Sequence, residues 1–346
     1  MIDQNEDICR ICKQWGVGYV GSKNKHLKWL FSHIPAGQRF IDLFGGGFAV
    51  LHYAYELRRY PIVVYSDCNP FIVKLIQKAA AGDYGVGRFV PEWIDRETFH
   101  RLKDDLTADP IYKYVFSYSY DGESYIGSEN SACYKIWRAF YDYLYLNTVT
   151  KDLVDCMDMD FNELNKHAFD PFCDKYRWAT AHCFHDGKNG IHSELMRIIK
   201  AGKAARKCVI MQRSYEDYQY REGDIVYCDI PYRHTALPYQ AIDYERFYSW
   251  ARKVPCFISE YSMPEDFFEI CKKECRTTRN DNYRTKRVER LFASPAAIRE
   301  GVYEPHNQLC FNWGRDNPSD TQRDTVVDDI PEECGYRADI KGLGTV

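Results

Sequence analysis

The chain has 346 residues, of which 45% are hydrophobic and 28% charged, and its formal net charge at pH 7 is -4. This length allows two or three compact units, and the ordinary globular composition excludes a wholly disordered or fibrous chain. No apolar run approaches the roughly 18–20 residues that span a bilayer, and the polar first ten residues do not resemble a secretory signal. We therefore expect a cytoplasmic protein without membrane contact, whose 14 scattered cysteines are buried hydrophobic residues rather than metal ligands.

The first clear pattern in chain order is a βαβ unit. An apolar strand at residues 40–44 meets three consecutive glycines, then a helix with one apolar face at residues 50–57, then a second strand at residues 61–65. Such units imply a parallel sheet with right-handed crossovers.

The βαβ rhythm stops near residue 81 and returns near residue 193. The intervening stretch is aromatic and helical, which predicts an insert at residues 81–192 in an α/β domain formed by residues 1–80 and 193–300. The predicted later elements are a helix at 193–205, strands at 207–212 and 224–228, a helix at 244–252, a strand at 256–259, a helix at 264–272 and a hairpin at 276–292. Residues 315–346 carry four basic and eight acidic residues and are predicted to be disordered.

The glycine turn at Asp42-Leu43-Phe44-Gly45-Gly46-Gly47 lies at the carboxyl end of the first strand, where open α/β sheets bind ligands. Val50 occupies a position at which a dinucleotide fingerprint has glycine, so NAD or FAD is weakly supported. Asp67 ends the second strand, from which an acid can accept hydrogen bonds from ribose hydroxyls. Together they predict an adenosine-type cofactor, although a tight turn with a helix-capping acid would use the same residues.

A second group, Asp229-Ile230-Pro231-Tyr232, ends a later strand. An acid and a backbone carbonyl can accept both hydrogens of an exocyclic amine, and a tyrosine ring can stack on the base. A base in duplex DNA reaches such a pocket only by flipping out of the helix. Asp and Pro are also common turn formers, so this motif alone leaves a structural role open.

In combination these motifs resemble the Dam-type (phage-like) DNA adenine N6-methyltransferases. The resemblance covers residues 17–292. In chain order it rests on an aromatic-x-Gly-x-Lys segment at residues 19–23, the glycine turn, the acid that closes the second strand, a helical target-recognition insert and the tetrad. In most members of the family the tetrad is Asp-Pro-Pro-Tyr. It implies a Rossmann-like methyltransferase sheet, S-adenosylmethionine as cofactor, double-stranded DNA as partner, no obligate protein partner, and a place at the DNA of a prokaryotic or phage-infected cell.

The resemblance also implies roles for individual residues. The cofactor-binding set is Tyr19, Lys23, Asp42, Phe44, Gly45, Gly47 and Asp67, and the catalytic set is Asp229, Ile230, Pro231 and Tyr232. Ile230 replaces the family's usual proline; it keeps the carbonyl that the chemistry needs, but not the restriction of the φ angle. The chemistry is an in-line attack of the amine on a sulfonium methyl group, which depends mostly on alignment.

Contacts with DNA are predicted from two basic segments and one irregular aromatic segment. Residues 196–213 carry six basic and no acidic residues, and residues 276–290 carry six basic residues and two acids. Both segments flank sheet elements and could reach phosphates beside the pocket. The predicted DNA-binding residues are Tyr118, Tyr120, Tyr125, Lys203, Arg206, Arg284, Lys286 and Arg287.

Two alternatives to a DNA adenine methyltransferase stay open. The pocket logic also suits methylation of RNA or of the cytosine N4 amine, and an altered tetrad could belong to a catalytically silent nucleic-acid-binding relative. The order of the motifs and the acid at position 229 favour DNA adenine.

Overall fold

The structure is a computed structural model that describes residues 14–85, 88–127, 138, 191–233, 242–276 and 286–305. Of residues 191–193, 275, 276, 286 and 287 it describes the backbone alone. Most of the predicted insert and the whole predicted acidic tail at 315–346 lie outside these ranges.

Seven strands of the described chain form one sheet in the order β3-β2-β1-β4-β5-β7-β6. Their bounds are β1 Arg39–Asp42, β2 Ile62–Asp67, β3 Val209–Gln212, β4 Asp224–Asp229, β5 Cys256–Glu260, β6 Phe268–Arg276 and β7 Lys286–Ala293. The first five are mutually parallel, whereas β7 runs antiparallel to both β5 and β6. This mixed α/β fold is the predicted Rossmann-like class.

Most of the helices connect these strands. Their bounds are α1 Leu27–Phe31, α2 Ala49–Glu56, α3 Pro70–Ala81, α4 Arg96–Leu102, α5 Ile111–Val115, α6 Ile191–Ala205, α7 Tyr244–Ala251 and α8 Pro295–Arg299, with 3-10 turns at Lys23–Lys25, Tyr118–Tyr120 and Tyr215–Asp217. Of these helices, α1 precedes β1 and α8 follows β7. Local sequence explains α3 well: the Asn69 side chain accepts a hydrogen bond from the Phe71 amide, Pro70 begins the helix, and Gly82 ends it with a φ of 78°. No helix in these described ranges is long and apolar enough to cross a membrane.

Apolar clusters cover both faces of the sheet, as a parallel sheet requires. The larger cluster contains Phe40, Tyr65 and Tyr227, and the smaller one contains Ile41, Ile258 and Phe247. Neighbouring strand residues such as Phe40 and Ile41 therefore serve opposite faces. The described start of the predicted insert joins the larger cluster through α4 and α5, so this part shares the core of the sheet domain.

One predicted helix is wrong. Residues 264–272 were expected to be helical, but Phe268–Arg276 is a strand that pairs with β7. The pairing register shifts between Glu269 and Cys271, and this irregularity hides the strict alternation by which a strand is recognised in a sequence. The antiparallel pairing of the predicted hairpin is confirmed, with a first strand that begins earlier than expected.

Candidate active site

The glycine turn and the Asp229 corner follow two neighbouring parallel strands. Residue Asp42 of β1 pairs with Tyr227 of β4, and the Leu43 amide continues the ladder by donating to the Tyr227 carbonyl at 3.1 Å. The strand order reverses direction between β1 and β4, and open sheets bind ligands at such a switch point, beyond the carboxyl ends of the strands. Both predicted motifs therefore lie at one edge of the sheet.

The glycine turn is held against the end of β2. The Gly45 amide donates to the Ser66 carbonyl at 3.0 Å, and the Tyr65 hydroxyl donates to the Gly46 carbonyl at 2.8 Å. A Cβ atom at Gly45 would lie 2.3 Å from the Tyr65 ring, so no larger residue fits there without moving that ring. Close packing against Tyr65 therefore explains why position 45 requires glycine, independently of any ligand.

Asp67 connects the turn to the next helix. One carboxylate oxygen accepts from the Gly46 amide and the other from the Asn69 amide, each at 2.8 Å. Burial raises the pKa of Asp67 from its ordinary value, and these backbone amides oppose the rise. A carboxylate has about four acceptor positions, so these two bonds leave capacity for the hydroxyls of a ribose.

Asp42 is the unusual carboxylate of this edge. Its side chain is buried, with 1% of the residue exposed, and within the part of the chain that the structure describes neither oxygen has a partner in good hydrogen-bond geometry. Burial raises its pKa well above the ordinary value, the neighbouring Asp229 and Asp67 carboxylates raise it further, and the nearby Phe44 amide opposes the rise. Buried acceptors are normally satisfied, so Asp42 fits a site that receives a donor from a ligand.

The segment before α1 lies across the glycine turn. The Val17 amide donates to the Gly47 carbonyl at 2.8 Å, and a Cβ atom on Gly47 would lie 2.6 Å from the Cβ of Tyr19. Phe44 stacks on Tyr215 with ring centroids 5.5 Å apart and is only partly buried. Tyr19, Phe44 and Gly47 thus lie together around the turn, where the cofactor residues were predicted.

Lys23, from the same N-terminal segment, contacts the tetrad. Its ammonium is 2.9 Å from an Asp229 carboxylate oxygen and donates to the Tyr232 hydroxyl at 2.6 Å. Burial raises the pKa of Asp229 to about 6, although the Lys23 charge opposes the rise. Burial lowers the pKa of Lys23, but Asp229 and Glu289 outweigh it and the net shift is upward. Lys23 was predicted to line the cofactor site, and in this structure its contacts are with the tetrad.

Glu289 of β7 is a site residue that the sequence did not reveal. It accepts a hydrogen bond from the Tyr232 hydroxyl at 2.7 Å and lies 3.8 Å from the Lys23 ammonium. Residues 276–290 drew attention for their basic charge, and the one signal in the sequence was that Glu289 is one of only two acids there.

The three tyrosines predicted to contact DNA differ in exposure. Tyr118 is 63% exposed, whereas Tyr120 and Tyr125 are each 8% exposed, and the Tyr125 hydroxyl donates to the Ile94 carbonyl at 2.7 Å. In this conformation Tyr120 and Tyr125 belong to the core of their segment and do not offer a surface to DNA. The expectation is therefore revised to Tyr118 alone.

Two predicted DNA-binding residues of the first basic segment, Lys203 and Arg206, lie away from the site. The helix α6 leads directly into β3, which runs parallel to β2, so Lys203 and Arg206 lie at the edge where these strands begin. Arg206 donates to the Ala80 carbonyl at 2.8 Å, near the end of α3. This edge is opposite the glycine turn, so the expected contact of Lys203 and Arg206 with DNA beside the pocket does not fit the topology.

Two further basic residues of this segment have inward roles. Arg197 forms a buried ion pair with Glu194 at 2.9 Å, and Glu194 accepts a hydrogen bond from the Gly18 amide beside the glycine turn. The Lys200 ammonium lies 4.7 Å from the centre of the Trp15 ring. Arg197 and Lys200 therefore help to stabilise the N-terminal segment that covers the glycine turn, and do not form a basic surface.

The second basic segment does lie at the site's edge. Because β7 is antiparallel to β5, its first residues, Lys286 and Arg287, extend past the end of β5, where Glu260 pairs with Arg290. Their backbone lies at the sheet edge that carries the tetrad, but their contact with DNA stays a prediction, and Arg284 lies outside the described residues. Among all the residues that the structure describes, no three His, Cys, Asp or Glu side chains come together as a metal site.

Comparison with known proteins gives a family match. The family model of the D12 class N6 adenine-specific DNA methyltransferases matches residues 19–251. The chain is also 23% identical over 224 residues to the retron Ec67 DNA adenine methylase of Escherichia coli. That alignment covers 64% of each protein, so the chain spans less than two thirds of this relative's length. The match confirms the predicted family: the chain belongs to the D12 class N6 adenine-specific DNA methyltransferases.

Proposed function

We propose that this protein transfers a methyl group from S-adenosylmethionine to the N6 amine of an adenine flipped out of double-stranded DNA. The observation that carries the proposal is the shared sheet edge: the glycine turn with the buried Asp42 and the Asp229 corner follow adjacent strands. Two small molecules held by these motifs would meet at one point.

The residues around the glycine turn fit the cofactor. Asp42 offers buried carboxylate oxygens with acceptor capacity to a cationic donor such as an ammonium group, and Asp67 retains acceptor capacity for ribose hydroxyls. Tyr19 and Phe44 supply apolar surface beside the turn. When bound, the cofactor supplies an electrophilic methyl group on its sulfonium.

The tetrad fits the amine. Asp229, as a carboxylate, accepts one N6 hydrogen, the Ile230 carbonyl accepts the other, and the Tyr232 ring stacks on the base. With the cofactor bound, this arrangement would direct the nitrogen lone pair toward the methyl group, and alignment would supply most of the acceleration. The methyl–sulfur bond would break as the methyl–nitrogen bond forms, leaving a neutral thioether, and the proton lost by the nitrogen would pass to Asp229 or to water. Lys23 contributes by favouring the ionised form of Asp229.

Transfer of labelled methyl groups to duplex DNA, followed by nucleoside analysis, tests the proposal. We expect N6-methyladenine as the product, and we expect Asp229→Ala to abolish it while cofactor binding, measured by calorimetry, persists. Methylcytosine or methylated RNA as the main product would contradict the proposal, and so would a protein that binds DNA without methylating it.

A further inference from the structure

The residues of the turn after β4 restrain its conformation only in part. Ile230 is 2% exposed and belongs to the same apolar cluster as Phe247 and Ile258. Pro231 fixes its own φ angle and disfavours the helical region for Ile230, but Ile230 lacks the ring by which a proline would hold φ near -65°. Contacts from elsewhere in the fold can therefore add to the restraint on this turn.

The first contact comes from α7. The Tyr244 hydroxyl donates to the Pro231 carbonyl at 2.7 Å, which is the peptide oxygen directly before Tyr232. Tyr244 is itself well placed, because it is the first residue of α7 and the Asp243 side chain caps that helix by accepting from the Arg246 amide at 3.1 Å.

The second contact comes from the end of β5. Glu260 is fully buried, and one of its carboxylate oxygens accepts from the Arg233 amide at 3.3 Å. The other oxygen accepts from the Tyr261 amide at 2.6 Å, and the Tyr261 ring packs edge-on against Tyr232 at 4.5 Å. Glu260 therefore holds the backbone directly after Tyr232 and the ring that supports it.

We propose that Tyr244 and Glu260 are positioning residues that fix the turn on both sides of Tyr232 and so replace the restraint that Ile230 does not provide. The contacts surround the one residue whose ring stacks on the base. This inference rests on the proposed function, since it concerns how the tetrad is held for methyl transfer.

Methyl-transfer kinetics of Tyr244→Phe, alone and combined with Ile230→Pro, test this inference. Removing the hydroxyl should lower kcat about tenfold by misaligning the tetrad, with an unchanged KM for S-adenosylmethionine. In the Ile230→Pro background, Tyr244→Phe should lower kcat by less than about twofold, because the proline ring supplies the lost restraint. Tyr248→Phe is the matched control, since Tyr248 lies on the same helix and also packs against Arg233, with 5.3 Å from the guanidinium to its ring centre.

An unchanged kcat in Tyr244→Phe, or an equal loss with and without the proline, would overturn the inference. If Ile230→Pro unfolds the buried turn, a double-mutant cycle of Tyr244→Phe and Glu260→Gln replaces it. Two restraints on one turn should give losses that are strongly non-additive, and additive losses would refute a shared role. A wild-type protein without adenine methylation would instead refute the proposed function itself.

Discussion

Lys23 and Glu289 place opposite charges around the Tyr232 hydroxyl, and both act on the ionisation of Asp229. Burial raises the pKa of Asp229, the Lys23 charge lowers it, and the Glu289 charge raises it. The resulting pKa is about 6. In the proposed mechanism the carboxylate is the form that accepts the amine hydrogen, so we expect activity to fall as the pH drops through this pKa.

Lys23→Met should move the acidic limb of the kcat profile to higher pH by about one unit, since it removes the cation that favours the carboxylate. Lys23→Arg is the control, because it keeps the charge. The pH dependence of methyl transfer measures the shift, and an acidic limb at the same pH in Lys23→Met would show that Lys23 does not control Asp229.

Glu289→Gln should move the same limb in the opposite direction, to lower pH, since it removes a nearby negative charge. The glutamine can still accept the Tyr232 hydrogen bond through its amide oxygen. A shift to higher pH, measured in the same assay, would contradict the electrostatic role of Glu289.

The hairpin of β6 and β7 is the element that we expect to contact DNA beside the site. Its residues past the end of β5 pair Cys275 with Arg287 and Arg276 with Lys286, which brings basic positions together at the active-site edge. The helix α6, with Lys203 and Arg206, ends at the opposite edge.

Lys286→Ala and Arg287→Ala should each weaken duplex binding and reduce the slope of log affinity against log salt by about one, the signature of one lost phosphate contact. Lys203→Ala should leave the slope unchanged, because it lies at the other edge of the sheet. Binding titrations at several salt concentrations measure the slopes, and an effect of Lys203→Ala equal to that of Lys286→Ala would contradict this placement of the DNA.

At the scale of the whole molecule, the buried Asp42 of the proposed cofactor site carries a cost in stability. Burial raises the pKa of Asp42 well above its unfolded value, so the folded protein binds a proton more tightly than the unfolded chain. Stability should therefore decrease as pH rises above the ordinary aspartate range. A ligand that satisfies Asp42 would offset this cost.

Asp42→Asn should raise the free energy of unfolding of the ligand-free protein at pH 8 by about 1–2 kcal/mol, because it removes a buried negative charge beside two other carboxylates and keeps the shape of the side chain. The same change should weaken binding of S-adenosylmethionine. Urea denaturation with and without cofactor measures both effects, and a less stable variant with unchanged affinity would show that Asp42 is a structural residue.

The sequence by itself determined the order of motifs and their places at strand ends. Asp67 and Asp229 each end an apolar run, and such local patterns predict where strands stop, whereas the first strand was expected to reach residue 44 and ends at Asp42. Because parallel strands end at a common edge, the glycine turn and the tetrad were expected at the same edge of the sheet. That they follow neighbouring strands was decided by the sheet order. The family resemblance rested on the same ordered spacing.

The tertiary structure decided what depends on partners distant in sequence. Glu289 reaches Tyr232 across 57 positions only because β7 inserts beside β5, and β6 is a strand only because β7 pairs with it. Lys203 and Lys286 both lie in basic segments of the sequence. The direction of α6 nevertheless places Lys203 at the edge of the sheet opposite the one that Lys286 occupies. Local periodicity reports which face of an element is apolar, whereas sheet order and strand direction determine which side chains share a site.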